Sequence, residues 1–180
     1  MDKNHIFDAA NILGHIGEIG VDYKLYHHEP VFSVAEADKV AGLMVGAQTR
    51  NLFLRDKRET MFLVTLRHDT PVDLKKLADI LNAGKFSFGS PERLWAYLGV
   101  KPGSVTPLSI LNDVDKKVQL VLESGMMAED IINVHPLDNS MTIGITPNGL
   151  MNILEQNNVT PMVLDLSCVA PDRENKICLA

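Results

Sequence analysis

Leu52-Phe53-Leu54-Arg55-Asp56-Lys57-Arg58-Glu59-Thr60-Met61-Phe62-Leu63-Val64 is the stretch on which the fold turns. Two short apolar runs rich in Leu, Phe and Val flank a charged break, a pattern that predicts a buried β-hairpin. Carried upstream to Thr49, the first strand alternates its side chains, with Arg50, Leu52 and Leu54 on one face and Asn51, Phe53 and Arg55 on the other. If the leucines point inward, Arg50 does too. An inward guanidinium needs an anion or several carbonyl acceptors, because an unpaired buried charge costs several kcal/mol. A salt bridge to Asp56 or another carboxylate would meet that need, and so would a ligand.

Around the hairpin, Ile6, Ala9, Ala10, Leu13 and Ile16 recur at helical spacing and predict an amphipathic helix over 5–19. Gly14, Gly17 and Gly20 within it form GxxGxxG with no strand before them, which is not a dinucleotide fingerprint. Tyr23 to His28 alternates like a strand, and Ser33-Val34-Ala35-Glu36 has the form of a capping box opening a short helix to about Gly42. Leu74, Leu77, Ala78 and Leu81 predict a helix ending near Gly84. Ser90-Pro91-Glu92 opens another, which carries Trp95, since Ser suits the N-cap and Pro the first helical position. Strands follow at about Ser109–Leu111, Lys117–Leu122, Ile131–Val134, Met141–Ile145 and Met162–Leu166. Thr146-Pro147 repeats the cap signal for a helix with Leu150, Ile153 and Leu154 inward. Strands and helices are interspersed without regular βαβ alternation, so the expected class is α+β, a mixed sheet with helices packed around it. Residues 1–167 read as a single domain, and 168–180, where the periodicity is lost, as a loosely held tail.

A chain of 180 residues, 46% of them hydrophobic, is long enough for one sizeable core. Its formal net charge of −6 excludes a general nucleic-acid coat, so any RNA contact is local and DNA is not an expected partner. The dense cationic cluster is Arg50, Arg55, Lys57, Arg58 and Arg67, either a face for phosphates or a sheet edge blunted by charge. No basic leader and no apolar run of about eighteen residues is present, which makes a cytoplasmic protein with no membrane partner the expectation. Cys168 and Cys178 lack neighbours at metal-ligand spacing and read as structural or incidental.

Two further stretches carry chemistry. Gly99-Val100-Lys101-Pro102-Gly103-Ser104-Val105-Thr106-Pro107 is a stiff, shaped loop with exposed N–H groups, and Gly103 lets a ligand approach the backbone. In His135-Pro136-Leu137-Asp138-Asn139 the proline holds a strand-end histidine extended, where it could orient a water, accept a proton or bond a ribose hydroxyl. His28-Glu29-Pro30-Val31-Phe32 is no zinc helix, because proline forbids the helix and a second histidine is absent. Neither a GxSxG elbow nor a P-loop occurs, and no metal site is suggested.

These motifs, with Ser87-Phe88, Ser90-Pro91-Glu92-Arg93-Leu94 and Val163-Leu164-Asp165-Leu166, resemble the YbaK/ProX group of free-standing aminoacyl-tRNA editing proteins, relatives of the insertion domain of prolyl-tRNA synthetase. The resemblance covers most of the chain. It implies a mixed sheet curled toward a barrel around a pocket, and hydrolysis of a wrongly attached amino acid from tRNA in trans, most often alanine from proline tRNA, without a cofactor. The acceptor end of tRNA is then the partner, with prolyl-tRNA synthetase a second one. The family motif TKNLFL supplies a lysine and an asparagine, which stand here as Arg50 and Asn51. With His135 and Gly103 these are the implied catalytic residues, and Gly99, Pro102, Ser104, Thr106, Asn139, Phe88 and His28 the implied substrate-binding ones. Arginine stays protonated and cannot serve as a general base, as lysine can. It suits a mechanism in which a fixed cation holds the substrate; the alternative is a catalytically weakened member that binds tRNA or an amino-acid-like ligand.

Overall fold

The structure, a computed structural model, describes residues 5–30, 42 and 44–167. The hairpin is present as β2 (Ala47–Arg55) and β3 (Met61–Arg67), paired antiparallel with Leu54 opposite Phe62 and Asn51 opposite Thr65. Its turn is tied by Asp56, whose carboxylate accepts from the N–H groups of Arg58, Thr60 and Gly84 at 2.8, 2.9 and 3.2 Å. β3 is buried on both faces from Met61 to Leu66, as its unbroken apolar run requires. Alternation sends Met61 and Leu63 into one hydrophobic cluster and Phe62, Val64 and Leu66 into another on the opposite side.

The remaining strands are β1 (Lys24–His27), β4 (Ser87–Phe88), β5 (Val118–Glu123), β6 (Ile132–Val134), β7 (Met141–Ile145) and β8 (Met162–Leu164). They form one mixed sheet of order β1-β7-β6-β2-β3-β5-β8, in which β2–β6, β3–β5 and β5–β8 are parallel and β4 pairs with the end of β2. Among the described residues β1 and β8 do not pair with each other, so the sheet is open. The larger cluster is covered by α1 (Ile12–Ile19), α3 (Pro91–Leu98) and α5 (Pro147–Gln156), through residues such as Ile16, Leu94 and Leu150. The smaller one is covered by α2 (Leu74–Ile80) through Leu77 and Ala78. A short α4 (Ser124–Met127) follows β5, and no helix among the described residues is long and apolar enough to cross a membrane. The molecule is thus an α+β domain with a mixed sheet between two unequal helical layers.

Two expectations are corrected. The first helix begins at Ile12, because Asp8 closes an Asx turn onto the N–H groups of Ala10 and Asn11, and the buried stripe is Ile12 and Ile16 while Ile6 is exposed. The strand expected at Ser109–Leu111 is a 3₁₀ helix, Pro107–Asn112, buried throughout. Pro107 presets its first turn, and the Ser109 hydroxyl donates to the Thr106 carbonyl at 2.6 Å, a local bond that competes with a strand. The capping box at Ser33 to Glu36, its helix, the two cysteines and the tail over 168–180 lie outside the described residues.

Candidate functional site

The register at the β2–β6 junction organises the site. Ala47 pairs with Ile132 and Gln48 with Asn133, so Gln48 and Asn133 share a face, and Arg50 and His135, two residues further along each chain, share it too. β7 adds Thr142 and β1 adds Tyr26 on that face, with His28 following two residues after Tyr26. The other face carries Ile132, Val134, Ile143 and Ile145, all core. The outcome is a patch of polar side chains on one side of a sheet whose other side is oil.

The histidines are locked into definite tautomers by their partners. His28 Nδ1 lies 2.9 Å from the Glu29 carbonyl and therefore carries the hydrogen, which leaves Nε2 to accept from the Thr142 hydroxyl at 2.9 Å. His135 Nδ1 donates to the Met141 carbonyl at 2.8 Å, with Thr142 Oγ1 next nearest at 3.4 Å. The acceptor nitrogen of His135 is thus Nε2. Burial pulls the His135 pKa below its ordinary 6.5, and the nearby His28 acts the same way, against the raising effects of the Met141 bond and Asp138. At neutral pH His135 is an uncharged ring with an available lone pair.

Arg50 is fixed through the next layer. Its Nη2 donates to the carbonyl of Thr70, the Thr70 hydroxyl donates to Glu123 Oε1 at 2.7 Å, and the Arg67 N–H donates to Glu123 Oε2 at 2.7 Å. Glu123 is buried, so this carboxylate fastens the turn after β3 whose carbonyl holds the guanidinium. The Nε of Arg50 is buried and has no partner among the described residues.

Asn51 points the other way. Its amide donates to the Val105 carbonyl at 2.8 Å and accepts from the Thr65 hydroxyl at 2.8 Å, so it staples the Gly99–Pro107 loop to the sheet from the face opposite Arg50. Its main chain has a second orientation. Ala47 N bonds Ile131 O and Phe53 O accepts from Gly89 N on the same edge of β2, so by strand alternation the N–H and C=O of Asn51 point to that edge as well. There β6 stops at Gln48 and β4 begins only at Leu54, leaving a notch in the sheet among the described strands.

In the loop, Gly99 ends α3 in a left-handed conformation at φ 67°, and a Cβ there would strike His5 and Asn112. Its glycine is explained by the helix end. Gly103, at φ 93°, and Pro102 are exposed, and Ser104 N closes a turn onto Lys101 O at 3.0 Å. Thr106 is fully buried at the start of the 3₁₀ helix. Asn139 is half-buried in the turn after His135, and Phe88 lies exposed on β4 beside Leu54. Arg50, His135 and His28 are therefore brought to one face, the Asn51 main chain to the notch beside it, the loop to the opposite face, and Phe88 to the notch's far end. Of the cationic cluster, Arg55 pairs with Glu59 at 2.7 Å and Arg67 with Asp69 and Glu129 at 2.7 and 2.9 Å.

Sequence reading missed Gln48, Asn133, Thr142 and Glu123. Asn133 had a usable signal, a lone amide inside the apolar strand Ile131-Ile132-Asn133-Val134 two residues before His135. A cavity of about 260 Å³ lined by Gly46, Gln48, Arg67, His68, Asp69 and Glu129 opens beside the start of β2. The larger cavity, about 400 Å³ between the start of β5 and the end of α5, contains none of these residues.

Residues 28–153, which hold every member of the polar face from His28 to Thr142, match the family model of the aminoacyl-tRNA editing domain. The chain belongs to the aminoacyl-tRNA editing domain family. This editing domain is 33% identical over 156 residues to prolyl-tRNA editing protein ProX of Acetoanaerobium sticklandii, which is 86% of this chain and 95% of that protein. It is 35% identical over 148 residues to prolyl-tRNA synthetase associated domain-containing protein 1 of Danio rerio, covering 81% and 80%. A crystal structure of a candidate trans-editing enzyme for prolyl-tRNA synthetase superposes on the editing domain with a TM-score of 0.66 at 17% identity, over 87% of this chain and 94% of that one. At that identity the likeness shows the fold.

Proposed function

We propose that this editing domain hydrolyses mischarged aminoacyl-tRNA in trans, and that its substrate is alanine esterified to proline tRNA. The observation that carries the reading is the 33% identity to ProX across nearly the whole of both chains. The polar face supports it. In ester hydrolysis a water adds to the acyl carbon, the bond to the ribose oxygen breaks, and alanine leaves a tRNA with a free hydroxyl. Negative charge builds on the acyl oxygen, and a fixed cation aimed at it lowers the barrier. Arg50, held from behind by Thr70 and Glu123, supplies that cation without having to lose a proton. Neutral His135 offers Nε2 to the ribose hydroxyl or the attacking water. The main-chain groups of Asn51 that face the notch, and the exposed Gly103 on the stapled loop, hold the terminal adenosine.

A separate site is needed because a synthetase that accepts proline cannot reject alanine strongly on binding energy alone, and a second, smaller pocket removes what slips through. The test is release of alanine, serine and cysteine from proline tRNA. Alanine should leave fastest, and proline should stay. Equal release of proline, or none of any amino acid, contradicts the proposal. A binder that has given up turnover is the second reading, favoured by the engagement of Arg50 with Thr70; restoration of turnover by Arg50→Lys would select it.

A further inference from the structure

Buried side-chain polar atoms in native proteins nearly always have a partner, and an orphan marks a place where something else completes the bond. Among the described residues, three orphans gather on the polar face: Gln48 Nε2, Arg50 Nε and Asn133 Oδ1. Asn133 is the most informative. Its residue is 2% exposed, and its orientation is settled because Nδ2 donates to the Val45 carbonyl at 3.1 Å, so the atom left over is an acceptor oxygen. Gly144 packs directly against it, since a Cβ there would meet that oxygen at 3.1 Å and the side chains of Ile131 and Tyr26 at 3.3 and 3.6 Å. Arg50 Nε is an N–H donor, and it lies one pleat along the neighbouring strand, on the same face. A ligand that completes both must carry a donor and an acceptor a few bonds apart.

We propose that Asn133 reads the α-ammonium group of the amino acid being removed, its Oδ1 accepting an N–H while Arg50 Nε donates to the ester carbonyl. This inference rests on the deacylase reading and adds to it a second determinant besides size. An α-amino acid ester places an ammonium donor and a carbonyl acceptor on adjacent carbons, the pairing this face lacks. The ammonium also finds no repelling cation at His135, whose ring is neutral at working pH. Rejection of acyl groups without the amine follows, because the Asn133 oxygen would then be buried and unmet.

The experiment compares kcat/KM for alanyl-tRNA and propionyl-tRNA, which differ only in the amine. The wild type should favour alanyl by about ten- to a hundredfold, the range for a hydrogen bond to a charged group. In Asn133→Ala that ratio should fall by about ten- to a hundredfold, toward the ratio of the two esters in water, and in Asn133→Asp, which keeps the acceptor and its shape, it should hold or rise. Melting curves of both variants establish that they are folded, and Asn133→Asp carries the test if Asn133→Ala is not. A wild-type ratio near one, a ratio unchanged by Asn133→Ala, or one lost in Asn133→Asp overturns the inference. Release of neither acyl group by the wild type removes the deacylase reading and this inference with it.

Discussion

His135 illustrates how a main-chain carbonyl can set the chemistry of a side chain. The Met141 carbonyl takes the Nδ1 hydrogen and so leaves Nε2 as the acceptor, while burial holds the pKa below 6.5. Because the folded state binds the proton less well than the unfolded state, stability is full above about pH 6.5 and is lost as pH falls through the lower folded value. Catalysis follows the same direction, since protonation of Nε2 removes the acceptor. A pH series of kcat/KM should therefore show an acid limb lying below 6.5, and His135→Ala should be slow and lack that limb. A limb that survives in His135→Ala would assign it elsewhere.

Among the elements, the β2–β3 hairpin bears most of the architecture, and its turn depends on one carboxylate. Burial of Asp56 works against ionisation, but the N–H groups of Gly84, Thr60 and Arg58 outweigh it and hold its pKa below 3.8. Asp56→Ala would leave those donors unmet and should lower unfolding stability by about 2–4 kcal/mol in a urea titration. A loss under 1 kcal/mol would show that water replaces the carboxylate. Glu123, at the end of β5, is the positioning residue for Arg50. A double-mutant cycle on kcat/KM should find that Glu123→Ala costs about tenfold with Arg50 present and nothing further in Arg50→Ala. Additive losses would mean that Glu123 acts only on the fold.

The hairpin, the two Pro-led helices and β5 to β7 were legible because their apolar spacing or their caps are local signals. β3 needed only its unbroken apolar run. Pro107 to Asn112 was not legible, since a short fully apolar run reads equally as strand or helix and the Ser109 bond that decides it depends on conformation. For the site, strand alternation already separated Arg50 from Asn51, and the strand-end position of His135 came from Pro136. The meeting of Arg50, Asn133 and His135 was hidden, because it depends on the parallel β2–β6 register between segments about eighty residues apart in sequence. Asn51 shows the converse: its side chain is spent on Val105 and Thr65, a role that no local pattern announces.

At the scale of the whole molecule, the chain is acidic, at −6, and two of its hairpin cations, Arg55 and Arg67, are already paired with carboxylates. Such a surface makes few phosphate contacts. The dependence of tRNA affinity on salt should be shallow, with a slope of log K against log salt of about −2 to −3, corresponding to about three or four neutralised phosphates. A slope near −7 in a fluorescence titration would reveal a broad basic face that the ion pairing excludes. On the proposed function, recognition then falls on the acceptor end of the tRNA and on the polar face, where Gln48, Arg50 and Asn133 carry orphaned atoms among the described residues.

The most direct measurement is release of alanine from alanyl-tRNA of proline specificity by the wild type, Arg50→Lys and Arg50→Ala in parallel. The wild type should deacylate it, Arg50→Ala should lose about a hundredfold or more in kcat/KM, and Arg50→Lys should fall between them, since a fixed cation is what the acyl oxygen needs. An inert wild type, or an Arg50→Ala variant as active as the wild type, would contradict a deacylase centred on Arg50.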